Sequence, residues 1–255
     1  MKKNISTVLC FLVLLTNLYA QNKDYFSILS NAQKQIDLAF LESFREGDVL
    51  PLQREEDLLN KIYIKNSKTI TYYKNYWISY VKYKKSLYYF RFNKKEKSKE
   101  EVANSIKLLE SIENKNSEIF SLLSLQQSFY FQFIPKQEFM IYLNKITENL
   151  EKAVALNSKN LRAYYVNANY DFYTPKEYGG GKKAENMLLK AISLNDKSEN
   201  SSFAPSWGKQ LSFDLLIQHY LKKEELENAK KYYQQAIKLY PSSSILYKHE
   251  KIIMK

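Results

Sequence analysis

Cysteine is nearly absent from this chain. Cys10 is the only one in 255 residues, so no disulfide framework can form within it. Histidine is almost as scarce. His219 and His249 lie thirty residues apart, and no His/Cys/Asp/Glu cluster has metal-ligand spacing, so no metal or other cofactor is implied. With five glycines and five prolines, turn residues are too few for an all-β fold. No apolar run approaches the about 20 residues that cross a bilayer. No Ser/His/Asp arrangement is identifiable, and Glu55, Glu56 and Asp57, like Glu224 and Glu225, fall where helices are expected to begin, which the helix dipole favours without catalysis. No enzyme activity is expected.

What is present starts with the N-terminus, "MKKNISTVLCFLVLLTNLYAQNKD". Lys2 and Lys3, an apolar run from Thr7 to Leu15, and Ala20 at the cleavage position give the layout of a secretory signal peptide over residues 1–20. The expected product is exported, periplasmic or secreted, beginning near Gln21 and carrying no transmembrane segment. The chain has a formal charge of +12, of which Lys2 and Lys3 supply two. A basic balance favours anionic contacts without specifying one.

Apolar residues recur at spacings of three and four almost throughout, the helical period. In "LENAKKYYQQAIKLYP", Ala229, Tyr233, Ala236 and Pro241 are spaced four, three and five apart. The preceding "FDLLIQHY" sets Phe213, Leu216, Ile217 and Tyr220 on one face. This resembles the tetratricopeptide repeat, in which small residues let the second helix of a pair lie close to the first, an aromatic fills the gap and proline ends the pair. The grammar recurs upstream. "AENMLLKAISLND" aligns Ala184, Leu188, Ala191 and Asp196; "ITENLEKAVALNS" aligns Ile146, Leu150, Ala153 and Ser158; "VANSIKLLESIEN" aligns Val102, Ile106, Leu109 and Asn114.

From Leu109 to Ala153, Ala191 and Ala236 the steps are 44, 38 and 45 residues. Each exceeds the plain repeat of about 34, so insertions fall between helices. The expected fold is all-α, a right-handed α-solenoid of about four helix pairs over residues 67–255. An N-terminal helical cap over residues 21–66, with helices near Tyr25–Phe44 and Glu55–Ile64, covers its first face. Ile70–Phe92 is expected as the first long helix of the array.

The stretch "FYTPKEYGGGKKAENMLLKAISLND" holds three of the five glycines. A phosphate loop would need a preceding strand, another glycine spacing and a Ser or Thr after the lysine, all missing here. Thr174-Pro175 ends one helix. Pro175, Gly179, Gly180 and Gly181 are expected to form a structural inter-helix turn. The N–H groups after that turn also offer an anion position, with Lys182 and Lys183 beside it.

The phrase "YDFYTPKEYGGGKKAENMLLKAI", with "FAPSWGKQ" after it, resembles a family of exported tetratricopeptide-like proteins of Gram-negative bacteria. It is also similar to the T component of TRAP transporters. Both resemblances run over about Lys145–Tyr240. The first implies the fold and export; the second implies binding of a small solute.

The basic-aromatic run "KYKKSLYYFRFNKKEKSKEE" combines Lys82, Lys84 and Lys85 with Tyr83, Tyr88 and Tyr89, a recipe for single-stranded nucleic acid. The aromatics sit at helical spacing and read better as core, with the lysines as a solvated helix end; no nucleic-acid partner is expected. In helical repeats the first helix of each pair lines the concave face. Its non-core positions here, Tyr170, Tyr173, Gln218 and Lys222, are the expected contacts for a protein or peptide partner. A solute-binding accessory of a transport system is the alternative.

Overall fold

The computed structural model describes residues 2–197 and 200–253, with side chains from Asp24 onward; the expected leader over residues 1–20 lies outside the described side chains. The described residues form helices and no strand. They divide into two compact units, Met1–Leu108 with Ser201–Phe203, and Leu109–Asn200 with Ala204–Lys255.

The first unit contains α1 (Lys2–Glu46), α2 (Leu50–Asn60), α3 (Lys68–Arg91) and most of α4 (Lys95–Glu110). Leu29, Ala32, Ile36, Ala39 and Ser43 recur every three or four residues along α1, and all are buried, so one stripe of the helix turns inward. α2 begins five residues earlier than Glu55. Pro51 sits in its first turn, where its missing N–H costs nothing, and Asp48 Oδ1 accepts from the Leu50 N–H at 3.0 Å. It ends at Asn60, short of Ile64.

On α3 the aromatics are core: Tyr73, Tyr76, Trp77, Tyr80 and Tyr88 are buried. Trp77 Nε1 donates to the Phe203 carbonyl at 3.1 Å. The Phe203 ring packs between Phe26 and Tyr73 at 5.5 and 5.6 Å.

Of the basic run, Arg91, Lys94 and Lys95 lie exposed at the end of α3 as expected, whereas Lys82, Lys84 and Lys85 correct the expectation of solvated lysines. Because α2 starts at Leu50, Glu56 lies in mid-helix facing α3, not in a first turn. Lys85 Nζ reaches Glu56 at 2.8 Å and Glu101 of α4 at 2.5 Å, and Gln53 Oε1 at 2.8 Å. Lys82 reaches Glu56 at 2.6 Å. Lys84 pairs with Asp37 and lies over the Phe40 and Tyr80 rings. Burial alone would raise the Glu56 pKa, but hydrogen bonds and charge from Lys82 and Lys85 outweigh it and hold the carboxyl low. These cations are spent inside the unit.

The second unit is built from helix pairs: α5 (Ser117–Tyr130) with α6 (Phe139–Leu156), α7 (Leu161–Tyr173) with α8 (Ala184–Ser193), and α9 (Lys209–Lys222) with α10 (Leu226–Leu239). The first helices lie side by side, α5 on α7 and α7 on α9. Short turns α11 (Ser244–Tyr247) and α12 (Glu250–Ile253) follow and pack on α10. Ala153, Ala184, Ala191, Ala229 and Ala236 are fully buried, and Tyr233 is buried too. Ala153 shows why the side chain is short. The Ser117 hydroxyl donates to the Ala153 carbonyl at 2.6 Å, an approach of α5 to α6 that a longer residue would obstruct. Pro241 is exposed, two residues past the end of α10.

Asn160 caps α7 and ties it to α5, accepting from the Arg162 N–H and donating to Ser117 Oγ. Arg162 is the largest charged side chain among the fully buried described residues. Its guanidinium grips Glu118 through two bonds of 2.5 and 2.7 Å. Nη1 donates to the Asp196 and Trp207 carbonyls at 2.6 and 2.9 Å. Arg162 is fully buried and Glu118 all but so. Gly208 lets the chain pass here: at φ +114°, a Cβ on it would stand 2.7 Å from Leu161 Cδ1.

Candidate interaction site at the end of α7, α8 and α9

Three helix ends meet at the glycine turn. α7 stops at Tyr173 because Thr174, preceding Pro175, takes an extended conformation (ψ 128°). A single 3-10 turn, Lys176–Tyr178, leads to the glycines. Gly179 and Gly181 have φ of +88° and +77°, the left-handed region that glycine enters freely. Gly180 is needed for space, since a Cβ there would lie 2.0 Å from the Thr174 carbonyl oxygen. The chain is drawn that close by the Gly181 N–H, which donates to the Asp171 carbonyl at 2.8 Å.

Asp171 also closes the anion position expected beside Lys182 and Lys183. Its Oδ2 accepts from the Lys183 and Ala184 N–H groups, both at 2.8 Å. The positive end of α8 is thus neutralised by a carboxylate of this chain. The glycines form a turn stitched to α7.

Glu185, in the first turn of α8, ties that helix to the last turn of α9. It accepts from Tyr220 at 3.0 Å and Lys223 at 3.1 Å, and His219 Nε2 lies 3.3 Å away. Burial opposes ionisation of Glu185, yet the Lys223 and Tyr220 hydrogen bonds lower its pKa on balance. Burial first, then the hydrogen bond to Glu185 and its charge, push the Tyr220 hydroxyl far above its ordinary value. Asp214, half a helix further back on α9, accepts from Gln218 at 3.0 Å and Lys248 at 2.8 Å, and lies 2.6 Å from His249 Nε2. Both histidines are therefore buried partners of carboxylates. Among the described residues, no three His, Cys, Asp or Glu side chains gather as a metal site.

A scan against protein-family models and a search of curated proteins returned no match. Among solved structures, a thermophilic tetratricopeptide-repeat protein of Thermus thermophilus aligns with a TM-score of 0.54 at 14% identity. That alignment covers 88% of this chain and 98% of that one. The chain has a tetratricopeptide-like helical fold. The HusA haemophore from Porphyromonas gingivalis is also similar, with a TM-score of 0.48 at 23% identity, over 67% of this chain and 84% of the haemophore.

Within this repeat fold, three of the four expected contact residues gather on α7 and α9. Tyr173 is 64% exposed, and burial of part of its ring together with the Asp214 charge raises its hydroxyl pKa. Gln218 is held by that same Asp214. Lys222 lies exposed with its ammonium 5.2 Å from the Phe172 ring centre, a cation–π contact. Tyr170 turns elsewhere. Its half-buried hydroxyl bonds to Thr147 of α6 and to Thr174, and burial outweighs those bonds in raising its pKa. Tyr178, 79% exposed on the turn, joins the site instead. Its place after a proline and before three glycines marks a loop tip, where an aromatic has no core to enter.

Proposed function

We propose that the chain is an exported binding scaffold, with no catalytic role and no nucleic-acid partner, which holds a protein or peptide segment at the end of α7 and α9. One observation supports the reading most. At this site Tyr173, Tyr178 and Lys222 are left exposed together, while Asp171, Glu185, Asp214 and both histidines beside them are engaged within the chain. Tyrosine offers a large, stiff contact area and a hydroxyl at low entropic cost, which suits it to recognition. The buried polar groups have the fold as their task.

Site-specific photocrosslinking tests this. A benzoylphenylalanine placed at Tyr173 in cells producing the chain is expected to give a discrete adduct with another polypeptide. The same group at Tyr63, 74% exposed between α2 and α3, is expected to give none. No adduct at Tyr173, or equal adducts at both positions, overturns the assignment.

A further inference from the structure

The partner site at the end of α7 and α9 is unbalanced in charge. Its buried carboxylates are engaged: Asp171 by the Lys183 and Ala184 N–H groups, Glu185 by Tyr220 and Lys223, and Asp214 by Gln218, Lys248 and His249. Its lysines are not. Lys176, Lys182 and Lys183 on the turn before α8, and Lys222 at the end of α9, are all exposed. Among the described residues none of these four is ion-paired. Glu185 holds the two groups at one end of the unit, because the residue it binds at 3.1 Å, Lys223, follows Lys222. Over residues 170–185 and 214–225, the carboxylates left without a partner among the described residues are Glu177 and Glu224, two against four exposed cations.

Building on the partner site described above, we propose that the segment held there is acidic, its carboxylates meeting Lys182 and Lys222 while its neighbouring side chains lie on the Tyr173 and Tyr178 rings. Complementarity selects this occupant. With its own buried acceptors occupied, the site presents ammonium groups and phenol hydroxyls, and a lysine ammonium can only donate. A matching segment therefore brings acceptors and negative charge. A basic segment would set like charges against each other, at a cost of several kcal/mol. A lipid surface lacks the matching feature. From Tyr170 to Lys183 the chain has no Leu, Ile, Val or Met, so the turn carries no aliphatic group to set among acyl chains. Lys222 is also placed in advance, since its ammonium rests 5.2 Å from the Phe172 ring centre and loses less freedom on meeting a carboxylate.

The test adds charge reversals to the Tyr173 crosslink in the full chain. Lys182→Glu combined with Lys222→Glu is expected to lower the adduct yield about tenfold, and the same pair changed to Gln to lower it less, a grading that misfolding would not give. Lys159→Glu makes a like change in net charge at the opposite end of α7, where Lys159 is exposed, and is expected to leave the yield unaltered. A second measurement uses a fluorescein-labelled copolymer of glutamate and tyrosine. Its binding to the original chain is expected to weaken as salt rises and to fall in the same order across the variants. An adduct that survives the paired Glu changes at full yield, or an equal loss with Lys159→Glu, overturns the acidic segment and leaves the partner site standing. Failure of the copolymer to bind, or its displacement at equal charge by oligothymidylate or phosphatidylglycerol vesicles, overturns it as well. Absence of any adduct in the original chain is a different result, and removes the site itself.

Discussion

Arg162→Ala lowers the stability of the second unit by about 3–5 kcal/mol, the range for removing one partner of a buried pair. The reason is what remains. Glu118 stays in a fully buried position without either guanidinium bond, while the Asp196 and Trp207 carbonyls lose their donor. Arg162→Lys restores only part of the loss, because an ammonium cannot make the paired bonds of a planar fork. The double change Arg162→Met with Glu118→Leu costs less than Arg162→Ala, since no orphaned charge is left. Urea unfolding followed by Trp207 fluorescence reads all three. The Trp207 ring lies 5.9 Å from the guanidinium carbon and its carbonyl accepts from Arg162. A single change with under about 1 kcal/mol of effect would place the pair outside the load of the fold.

Gly180→Val destabilises by roughly 3 kcal/mol or more, the size associated with severe steric conflict. In a unit of this length that corresponds to a melting point lower by roughly 6–12 °C. The first added atom, the Cβ, would stand 2.0 Å from the Thr174 carbonyl oxygen and 2.6 Å from its carbon. Both are backbone, and Thr174 is fixed by Pro175 and by its N–H to the Tyr170 carbonyl. Gly181→Ala, where a Cβ meets open space but φ is +77°, costs about 1–2 kcal/mol through the backbone alone. Thermal scans of the two variants separate a packing requirement from a conformational one. Equal melting points, or no change in Gly180→Val, would remove the turn from the structural account.

The parts of the fold that could be read in the residues share one property: they repeat. Ala184, Ala191, Ala229 and Ala236 recur at fixed offsets because each second helix must approach its partner in the same way. Pro175 and Pro241 were legible because proline acts on its immediate neighbours. α5 carries no such signature. Beside Ile119, Leu122, Leu123 and Leu125 its inward positions include Ser117, Ser121, Ser124 and Gln127, and a serine hydroxyl satisfied by a carbonyl one turn back, as Ser121 is by Ser117, looks polar in sequence while packing as a small group.

The candidate site was legible in part for the same reason. Tyr173, Gln218 and Lys222 follow from helical spacing once the pairs are aligned. Tyr170 does not, because its direction depends on Thr147 of another helix. Asp171 lies twelve and thirteen residues before the N–H groups it caps, far outside the three-residue reach of an ordinary cap. Glu118 and Arg162 are 44 apart, and Lys85 and Glu56 are 29 apart. Charges that look like solvated runs became core pairs through folding alone.

The claim beneath all of this is that short side chains in the second unit exist to let helices stack. It is tested most directly by comparing two alanines on α6, Ala153, fully buried, and Ala155, exposed, each changed to leucine. The expected result is a loss of about 1–3 kcal/mol for Ala153→Leu, the cost of overpacking a closed interface, and under about 0.5 kcal/mol for Ala155→Leu. Equal stability of the two variants, measured by urea unfolding, would contradict the stacking of α6 on α5.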